Sequence, residues 1–173
     1  GNEGMNIINL DGSIYKHNEI GHAQRISVAK FDNNMEGLGI CATAFWGSDG
    51  IVCTYDKDGN LLHQIEVETK GTIVTPVSYD GVHNLIMLHA GSDGGLVDFE
   101  LDRVVMFPND NHPDISTEVF DIDGDGIDEI ICWDLHEMWI YKAKEYIKPQ
   151  DSIKYPHDSF SNYRGEYIIP KKK

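Results

Sequence analysis

Turn-forming residue pairs divide this sequence into short segments, and they constrain the fold more than any other feature. Asp and Gly adjoin one another at short intervals, and the residues between these pairs are rich in β-branched and aromatic side chains. The pairs are Asp11-Gly12, Asp49-Gly50, Asp58-Gly59, Asp80-Gly81 and Asp93-Gly94-Gly95. Asp-Gly favours tight turns between strands, whereas the helix-like stretch at residues 143–146 is very short. The sequence therefore predicts an all-β fold.

A repeat of nearly constant length underlies these segments. Three of them share one plan, which is a strand-like run, a loop and a second strand-like run. Isoleucines at matching positions lie 46 and 44 residues apart, and aromatic residues further on lie 44 and 42 apart. They are Ile40, Ile86 and Ile130, followed by Tyr55, Phe99 and Tyr141, which we expect to be packing residues. About four short strands in a repeat of this length are typical of a β-propeller blade.

The repeat predicts a single partial β-propeller domain made of about three four-stranded meanders. Its parts are 1–20, the end of a preceding blade; 21–68, a blade; 69–108, a blade; 109–146, a blade with a calcium loop; and 147–173, an irregular C-terminal tail. In the first blade we expect strands at 22–31, 38–45, 51–55 and 61–66. Because a propeller ring needs at least four blades, we expect the remaining blades, or another copy of the chain, as a partner.

The charge balance argues against several classes of partner. The 173 residues include 14 Lys and Arg against 29 Asp and Glu, a formal net charge of −15. Nucleic-acid binding draws its affinity from Lys and Arg on phosphates, so no nucleic acid is expected, and an anionic membrane surface is disfavoured for the same reason. The apolar runs are too short for a transmembrane helix. The first residues, Gly1-Asn2-Glu3-Gly4, lack the apolar core of a secretory signal.

The three cysteines, Cys41, Cys53 and Cys132, do not suggest a disulfide framework, because their number is odd. Their apolar and β-branched neighbours indicate small buried side chains on strands. A bridge between Cys41 and Cys53 stays open, since two hairpin strands in the right register could bring the two sulfur atoms together.

An acidic loop near residue 125 is the sharpest motif. Within nine residues it places carboxylates at loop positions one, three and five, a backbone carbonyl at seven and a carboxylate at nine. These ligands are Asp121, Asp123, Asp125, Ile127 and Glu129. Hard oxygen ligands in this number suit calcium, which takes six to eight of them. Two like charges about 4 Å apart repel by roughly 4 kcal/mol at an effective dielectric constant near 20, so the loop predicts a bound Ca²⁺.

The acidic loops allow other interpretations. A helix-flanked calcium loop needs a Glu at position twelve, where this chain has Cys132 in a strand-like run; a solvated turn without an ion is the remaining alternative. The matching loop of the first blade, Asp32-Asn33-Asn34-Met35-Glu36-Gly37, has Ile40 at position nine, so it predicts a decayed site whose occupancy stays open. The second blade has only Asp80-Gly81-Val82-His83, which is too short for a metal site.

The acidic loop between two strands is similar to FG-GAP-type calcium blades, and the chain as a whole resembles the C-terminal part of polysaccharide lyase family 11, the rhamnogalacturonan lyases. Three stretches carry this resemblance in order through nearly all 173 residues. They run from Gly21-His22-Ala23-Gln24 to Phe45-Trp46-Gly47, from Phe107-Pro108-Asn109-Asp110-Asn111-His112-Pro113 through the acidic loop to Trp139-Ile140-Tyr141, and from Ile153-Lys154-Tyr155-Pro156 to Ser161-Asn162-Tyr163-Arg164.

The resemblance implies an eight-bladed propeller that holds several calcium ions. Its activity would be cleavage of the rhamnogalacturonan I backbone of pectin, an acidic plant polysaccharide, by β-elimination in a secreted or periplasmic location. This chain covers about the last three blades, so we expect little or no activity from it alone. A non-catalytic, calcium-stabilised FG-GAP-type module for glycan binding or adhesion is the alternative.

β-Elimination needs a cation on the uronate carboxylate and a base for the neighbouring proton. His22, at the start of an inner strand, is the candidate base. Trp46 could stack on a sugar, and Arg164 beside Tyr163 could clamp a carboxylate with two hydrogen bonds. A purely structural role is the alternative for each of these residues. Three further histidines are expected to be structural, namely His89, His112 and His136.

Overall fold

The computed structural model describes residues 3–44, 50–67, 73–81, 83–89, 95–106, 111–113, 116–143, 158–161 and 164–165, and only the backbone at 73, 89, 158–161 and 164–165. The regular elements of this part of the chain are all strands, so the predicted all-β fold is confirmed. The strands are β1 (Met5–Ile8), β2 (Ile14–Asn18), β3 (Ala23–Ala29), β4 (Gly39–Ala44), β5 (Ile51–Tyr55), β6 (Leu61–Glu66), β7 (Ile73–Ser78), β8 (Asn84–His89), β9 (Gly95–Val97), β10 (Arg103–Met106), β11 (Ser116–Phe120), β12 (Glu129–Trp133), β13 (Met138–Tyr141), β14 (Asp158–Ser161) and β15 (Arg164–Gly165).

Strands that follow one another in the chain lie side by side in three antiparallel meanders. These are β3 to β6, β7 to β10 and β11 to β13, while β1 and β2 form a separate hairpin. Antiparallel neighbours need only a tight turn between them, which the frequent Asp and Gly residues provide. In the first meander the observed strands agree with the predicted ones to within two residues at every boundary. None of the four described sheets closes on itself.

Two details correct the sequence prediction. The third meander has three strands in the described residues, not four, and the tail that we expected to be irregular contributes β14 and β15. β14 pairs antiparallel with β3, with Asp158 opposite Val28 and Ser161 opposite Arg25, so the first sheet has six strands. Hydrophobic periodicity could not predict this pairing, because a four-residue strand shows little alternation and its partner lies far away in the sequence.

The second meander buries both of its faces. Along β8, Ile86 and Leu88 belong to a core shared with the first meander, whereas Leu85 and Met87 belong to a core shared with the third. Successive side chains of a strand point to opposite faces, so one continuous apolar run supplies two separate cores. Met5 of the β1–β2 hairpin contributes to a further core on the other face of the first meander. The hairpin and the three meanders therefore stack face to face.

Aromatic residues fill the junctions between the sheets. Phe31, just after β3, stacks on Phe99 from the β9–β10 turn, with ring centroids 5.1 Å apart and planes 10° apart. Tyr55 is 1% exposed and Phe99 is 7% exposed. Tyr141 packs, partly buried, against the core between the second and third meanders. The prediction that these recurring aromatic residues are packing residues is confirmed.

Polar side chains also connect consecutive meanders. The fully buried hydroxyl of Ser27 on β3 donates a hydrogen bond to the carbonyl oxygen of Val74 on β7. The Nδ2 atom of Asn84 donates to the carbonyl oxygen of Lys30 at 2.9 Å. Because such bonds have strict geometry, they fix the position of one meander on the next in a way that apolar contacts alone do not.

The β1–β2, β5–β6 and β9–β10 turns share one geometry. In each, the N–H of an Asn or Asp donates to the carbonyl oxygen four residues later, at 2.9 to 3.1 Å. The fourth residue has a positive φ: +86° at Gly12, +76° at Gly59 and +70° at Leu101. This conformation is easy for Gly and strained for Leu. Leu101 is accommodated because its side chain is buried in the core between the first two meanders.

The three cysteines are buried, free thiols, as predicted. Cys41 lies opposite Thr54 and Cys53 opposite Ala42, so Cys41 and Cys53 point to opposite faces of their sheet and do not form the bridge that the sequence left open. Burial raises the pKa of both thiols. Within the described residues, the structure has no helix able to cross a membrane.

Candidate metal centre

The acidic loop connects β11 to β12, as the strand–loop–strand prediction requires. It occupies residues 121–128, and Glu129 is the first residue of β12. Gly124 and Gly126 have φ values of +77° and +98°. This left-handed region is open to Gly without a steric penalty, so the two glycines allow the loop to fold back on itself.

The loop's carboxylates organise its backbone by accepting its N–H groups. These hydrogen bonds run from Gly124 and Gly126 to Asp121, from Asp125 to Asp123, from Ile127 to Asp125 and from Ile122 to Glu129, with lengths of 2.8, 3.1, 3.2, 2.9 and 2.9 Å. Asp121 uses both oxygens in this way. Asp123, Asp125 and Glu129 each use one oxygen for these bonds and direct the other toward a common point.

That common point is the ammonium group of Lys142. Its Nζ lies 2.5 Å from Asp123 Oδ2, 3.1 Å from Asp125 Oδ2 and 3.1 Å from Glu129 Oε1. Its contacts with Asp123, and then with Asp125 and Glu129, raise the pKa of Lys142. The Oε1 atom of Glu129 is buried and has no hydrogen-bond partner among the described residues, so its contact with Nζ is an ion pair. The loop is therefore organised around a cation.

Two of these carboxylates, Asp123 and Glu129, also belong to a group that fits a metal ion. Carboxylate oxygens of Asp121, Asp123 and Glu129 lie within 4.8 Å of one another. All are hard oxygen donors of the kind that calcium prefers. The side chain of Glu129 is 5% exposed and that of Asp123 is 54% exposed, so the group is closed on the side of the sheet and open toward solvent. Ile127 lies in the loop with its side chain buried, and the role of its carbonyl as a ligand stays a prediction.

The contact of Lys142 with the loop was not predicted from the sequence. The signal that could have located it is strand register. Ile130 lies opposite Tyr141 in the β12–β13 pair, so residue 142 falls beside Glu129 when the pairing is continued by one residue. Opposite charges across a strand pair attract each other. A hairpin register drawn from the sequence would have brought this lysine to the acidic loop.

Asp128 joins the loop to the second meander. Its N–H donates to the carbonyl oxygen of Ser78 at 2.8 Å, and its Oδ2 accepts the N–H of Ser78 at 2.7 Å. Asp128 is 7% exposed and was not among the predicted ligands. It makes the acidic loop part of the junction between the second and third meanders.

The matching loop of the first meander, residues 32–37, is organised differently. Asp32 Oδ1 accepts the N–H of Asn34 at 2.7 Å. The Nζ of Lys30 donates to the carbonyl oxygens of Met35 and Gly37. With two acidic residues against five in positions one to nine of the third meander's loop, it is a weaker candidate for a metal, and its decay stays a prediction.

A second acidic group lies in the β9–β10 turn and was not predicted from the sequence. Carboxylate oxygens of Asp98, Glu100 and Asp102 lie within 4.8 Å of one another. Asp98 Oδ1 accepts the N–H of Asp102 at 2.9 Å, which is a turn-stabilising role. Glu100 and Asp102 are exposed, so water can solvate their charges.

The structure describes only some of the predicted catalytic and substrate-binding residues. His22 directly precedes β3 and is half-buried. Arg164 lies in β15, which is linked through β14 to the Arg25 end of β3, so His22 and Arg164 are at the same end of the six-stranded sheet. Trp46 and Tyr163 lie outside the described residues, as does the side chain of Arg164. The roles of all four stay predictions.

Three further histidines were expected to be structural. The ring of His112 packs edge-on against Tyr141, with centroids 5.9 Å apart. The backbone N–H of His136 donates to Asp134 in a turn, and the backbone of His89 belongs to β8. For His89 and His136 the structural role stays a prediction.

Comparison with known proteins does not assign the chain: no protein-family model, curated protein or solved structure matches it. The interpretation of the acidic loop therefore rests on the residues and geometry described above.

Proposed function

We propose that this chain is a calcium-stabilised β-meander module whose loop of residues 121–129 binds one Ca²⁺. The observation that carries the proposal is the convergence of oxygens from Asp123, Asp125 and Glu129 on a single cationic point. Carboxylates this close repel one another strongly, and a divalent ion compensates that repulsion better than one ammonium group does. Asp121 and the carbonyl of Ile127 would complete the ligand set.

Calcium suits this loop better than zinc or magnesium. Residues 121–129 include neither Cys nor His, which are the usual ligands of structural zinc. Magnesium demands near-ideal octahedral geometry and usually keeps several waters. Calcium accepts a larger and more variable set of carboxylate and carbonyl oxygens, which is what a nine-residue loop offers.

Thermal unfolding in calcium and in chelator tests the proposal. We expect a higher Tm in calcium, and we expect Asp123→Asn to remove most of that shift, because it takes one negative charge out of the cluster. The matched control is Asp134→Asn, since Asp134 also accepts backbone N–H groups in an exposed turn but lies outside the loop. An Asp123→Asn variant with an undiminished shift, or a parent chain with none, contradicts the calcium site.

We propose further that the stacked meanders are consecutive blades of a β-propeller. The face-to-face packing supports this, as does the position of β7, which contacts both β3 and β11, the first strands of the neighbouring meanders. The remaining blades would come from a longer parent protein or from another copy of the chain. A crystal structure of that assembly should show a closed ring around a channel, and an open stack of sheets would refute the propeller.

As the wider function we propose calcium-assisted β-elimination of rhamnogalacturonan I by a secreted or periplasmic protein that contains this chain as its C-terminal propeller portion. The motif order described above supports this, together with the placement of His22 and Arg164 at one end of a sheet. His22 would act as the base, and Arg164, Tyr163 and Trp46 would bind the substrate.

Ultraviolet absorbance of the unsaturated uronate product tests the lyase activity. With rhamnogalacturonan and calcium, the parent protein should turn over substrate and this chain alone should show little or no turnover. An inactive parent protein contradicts the lyase proposal, and rapid turnover by this chain contradicts its expected inactivity.

A non-catalytic, FG-GAP-type glycan-binding or adhesion module is the second candidate. The bond pair between Asp128 and Ser78 favours it, because it gives the acidic loop a structural purpose that requires no substrate. This candidate predicts calcium-dependent retention of the chain on immobilised rhamnogalacturonan with no product formed by the chain or by its parent protein.

A further inference from the structure

We propose that Lys142 is a built-in competitor of the divalent cation, which holds the acidic loop together when calcium is scarce and leaves it when calcium binds. The inference rests on the proposed calcium site and concerns the regulation of that site. Lys142 directly follows β13, whose last residue, Tyr141, pairs with Ile130. The register of the β12–β13 hairpin thus brings the lysine to the loop.

The ammonium group occupies oxygens that the proposed metal ion also requires. Lys142 Nζ contacts Asp123, Asp125 and Glu129 at 2.5, 3.1 and 3.1 Å. The other oxygen of each of these carboxylates accepts a backbone N–H of the loop. An ion held by the same three converging oxygens would lie where Nζ lies. Since two cations cannot share one position, either cation must displace the other.

The ammonium group can be displaced without breaking the fold. The side chain of Lys142 is 39% exposed, and a lysine has a flexible stem and a well-hydrated charge. Exposed ion pairs contribute little individually, whereas a divalent ion brings twice the charge to the same carboxylates. Calcium therefore replaces the lysine above a threshold concentration, and Lys142 raises that threshold.

The matching loop of the first meander also contains a lysine ammonium group, but it has no acidic cluster. Lys30 Nζ donates to the carbonyl oxygens of Met35 and Gly37 in the matching loop. A lysine ammonium is thus the internal cation of both loops. In the first meander the partners are neutral carbonyls, which attract a divalent ion less strongly than carboxylates do. We therefore expect Lys30 to keep its contacts when calcium is added.

Calorimetric titration of the whole chain with calcium tests the competition. Lys142→Met keeps most of the side-chain volume and removes the charge, so its Kd for calcium should be about tenfold lower than that of the parent, the scale expected for a small network of exposed ion pairs. The control is Lys57→Met in the β5–β6 turn. Lys57 is 37% exposed and pairs with Asp58 at 2.9 Å, so this variant loses the same charge and should keep the parent's Kd.

The outcomes separate the inference from the proposed function. If Lys142→Met binds calcium no more tightly than the parent does, Lys142 is not a competitor. If neither protein binds calcium, the calcium site itself is wrong. An equal gain in affinity in Lys57→Met would mean that net charge, and not the position of Lys142, sets the threshold, and this also overturns the inference.

A measurement on the unaltered chain does not require any variant to fold. In chelator, the ammonium group of Lys142 should give a protected signal in nitrogen-15 NMR spectra of the lysine side chains, because three carboxylates hold it. Saturating calcium should abolish that signal and leave the Lys30 signal in place. A Lys142 signal that persists while calcium binds to the loop overturns the inference.

Discussion

Asp128 binds both backbone groups of Ser78, with its N–H on the Ser78 carbonyl at 2.8 Å and its Oδ2 on the Ser78 N–H at 2.7 Å. The two residues are 50 positions apart and belong to different meanders. Because Asp128 is part of the acidic loop, the loop cannot change shape without affecting the sheet beside it. Binding at the proposed calcium site and the packing of the second and third meanders should therefore be coupled.

Removal of the Asp128 carboxylate should destabilise the chain even without calcium. In Asp128→Ala the part-buried N–H of Ser78 loses its acceptor, and such a loss lowers the free energy of unfolding by about 1–3 kcal/mol. Asp128→Asn keeps an oxygen acceptor and should lose less. Urea unfolding in chelator measures both variants. Parent-like stability of Asp128→Ala would show that the bond to Ser78 contributes nothing.

Gly39 should not tolerate a methyl group. A Cβ at this position would lie 2.8 Å from Cε2 of Phe99 and 3.1 Å from Cδ2 of Phe31, inside the stacked pair. Overpacking of this kind costs about 1–3 kcal/mol. The entropy lost by the unfolded chain in Gly→Ala offsets only about 0.4–1 kcal/mol of that. Gly39→Ala should therefore unfold at lower urea concentration than the parent.

A double variant distinguishes the steric explanation from a backbone effect. If Phe99 causes the clash, Phe99→Leu should cost less stability in the Gly39→Ala background than in the parent, since the smaller side chain makes room for the methyl group. Strictly additive losses would mean that Gly39 is required for some other reason.

The cysteine thiols should react with a thiol reagent only after unfolding. Cys41, Cys53 and Cys132 are 0, 3 and 0% exposed, so a reagent cannot reach the sulfur atoms in the folded state. We expect three reactive thiols in denaturant and almost none in buffer. Rapid labelling in buffer would show that the sheets open readily, or that a thiol lies at the surface.

Alkaline pH should destabilise the chain through the same buried region. Burial raises the pKa of Cys41, Cys53 and Tyr55 in the folded state, whereas in the unfolded chain thiols ionise near pH 8.5 and tyrosine near pH 10. Above about pH 9 the unfolded state therefore binds fewer protons than the folded state, and the free energy of unfolding falls as pH rises. At neutral pH both states keep these protons, so these groups do not make the free energy of unfolding depend on pH.

Urea unfolding at a series of pH values measures this fall. A variant with Cys41→Ala and Cys53→Ala should show a shallower decline above about pH 9, because two of the three groups no longer titrate. If the decline is as steep as in the parent chain, the thiols are not its cause.

The strands and the acidic loop were predictable because their signals are local. In the first meander, short strand-like runs between turn signals specified β3 to β6 closely. The loop of Asp121 to Glu129 was recognisable because its acidic spacing and its glycines lie within nine residues.

The features that were not predicted depend on how the chain folds, and a local sequence pattern does not show them. Lys142 reaches the loop through hairpin register, and Asp128 reaches Ser78 across a junction between sheets. The Asp98 cluster forms in a turn where Leu101 adopts the left-handed conformation that the sequence normally marks with Gly. The contact of Asp128 with Ser78 and the Asp98 cluster required the fold before they could be recognised, whereas Lys142 required only the register of one hairpin.

The pairing of β14 with β3 has a consequence for synthesis of the chain. Asp158 lies opposite Val28, 130 positions earlier, so the first meander leaves the ribosome long before the strand that covers its edge. An uncovered strand edge is a template for other strands. During that interval a neighbouring nascent chain can pair with β3 instead, and slow translation of the intervening segment would favour aggregation over correct closure of the sheet.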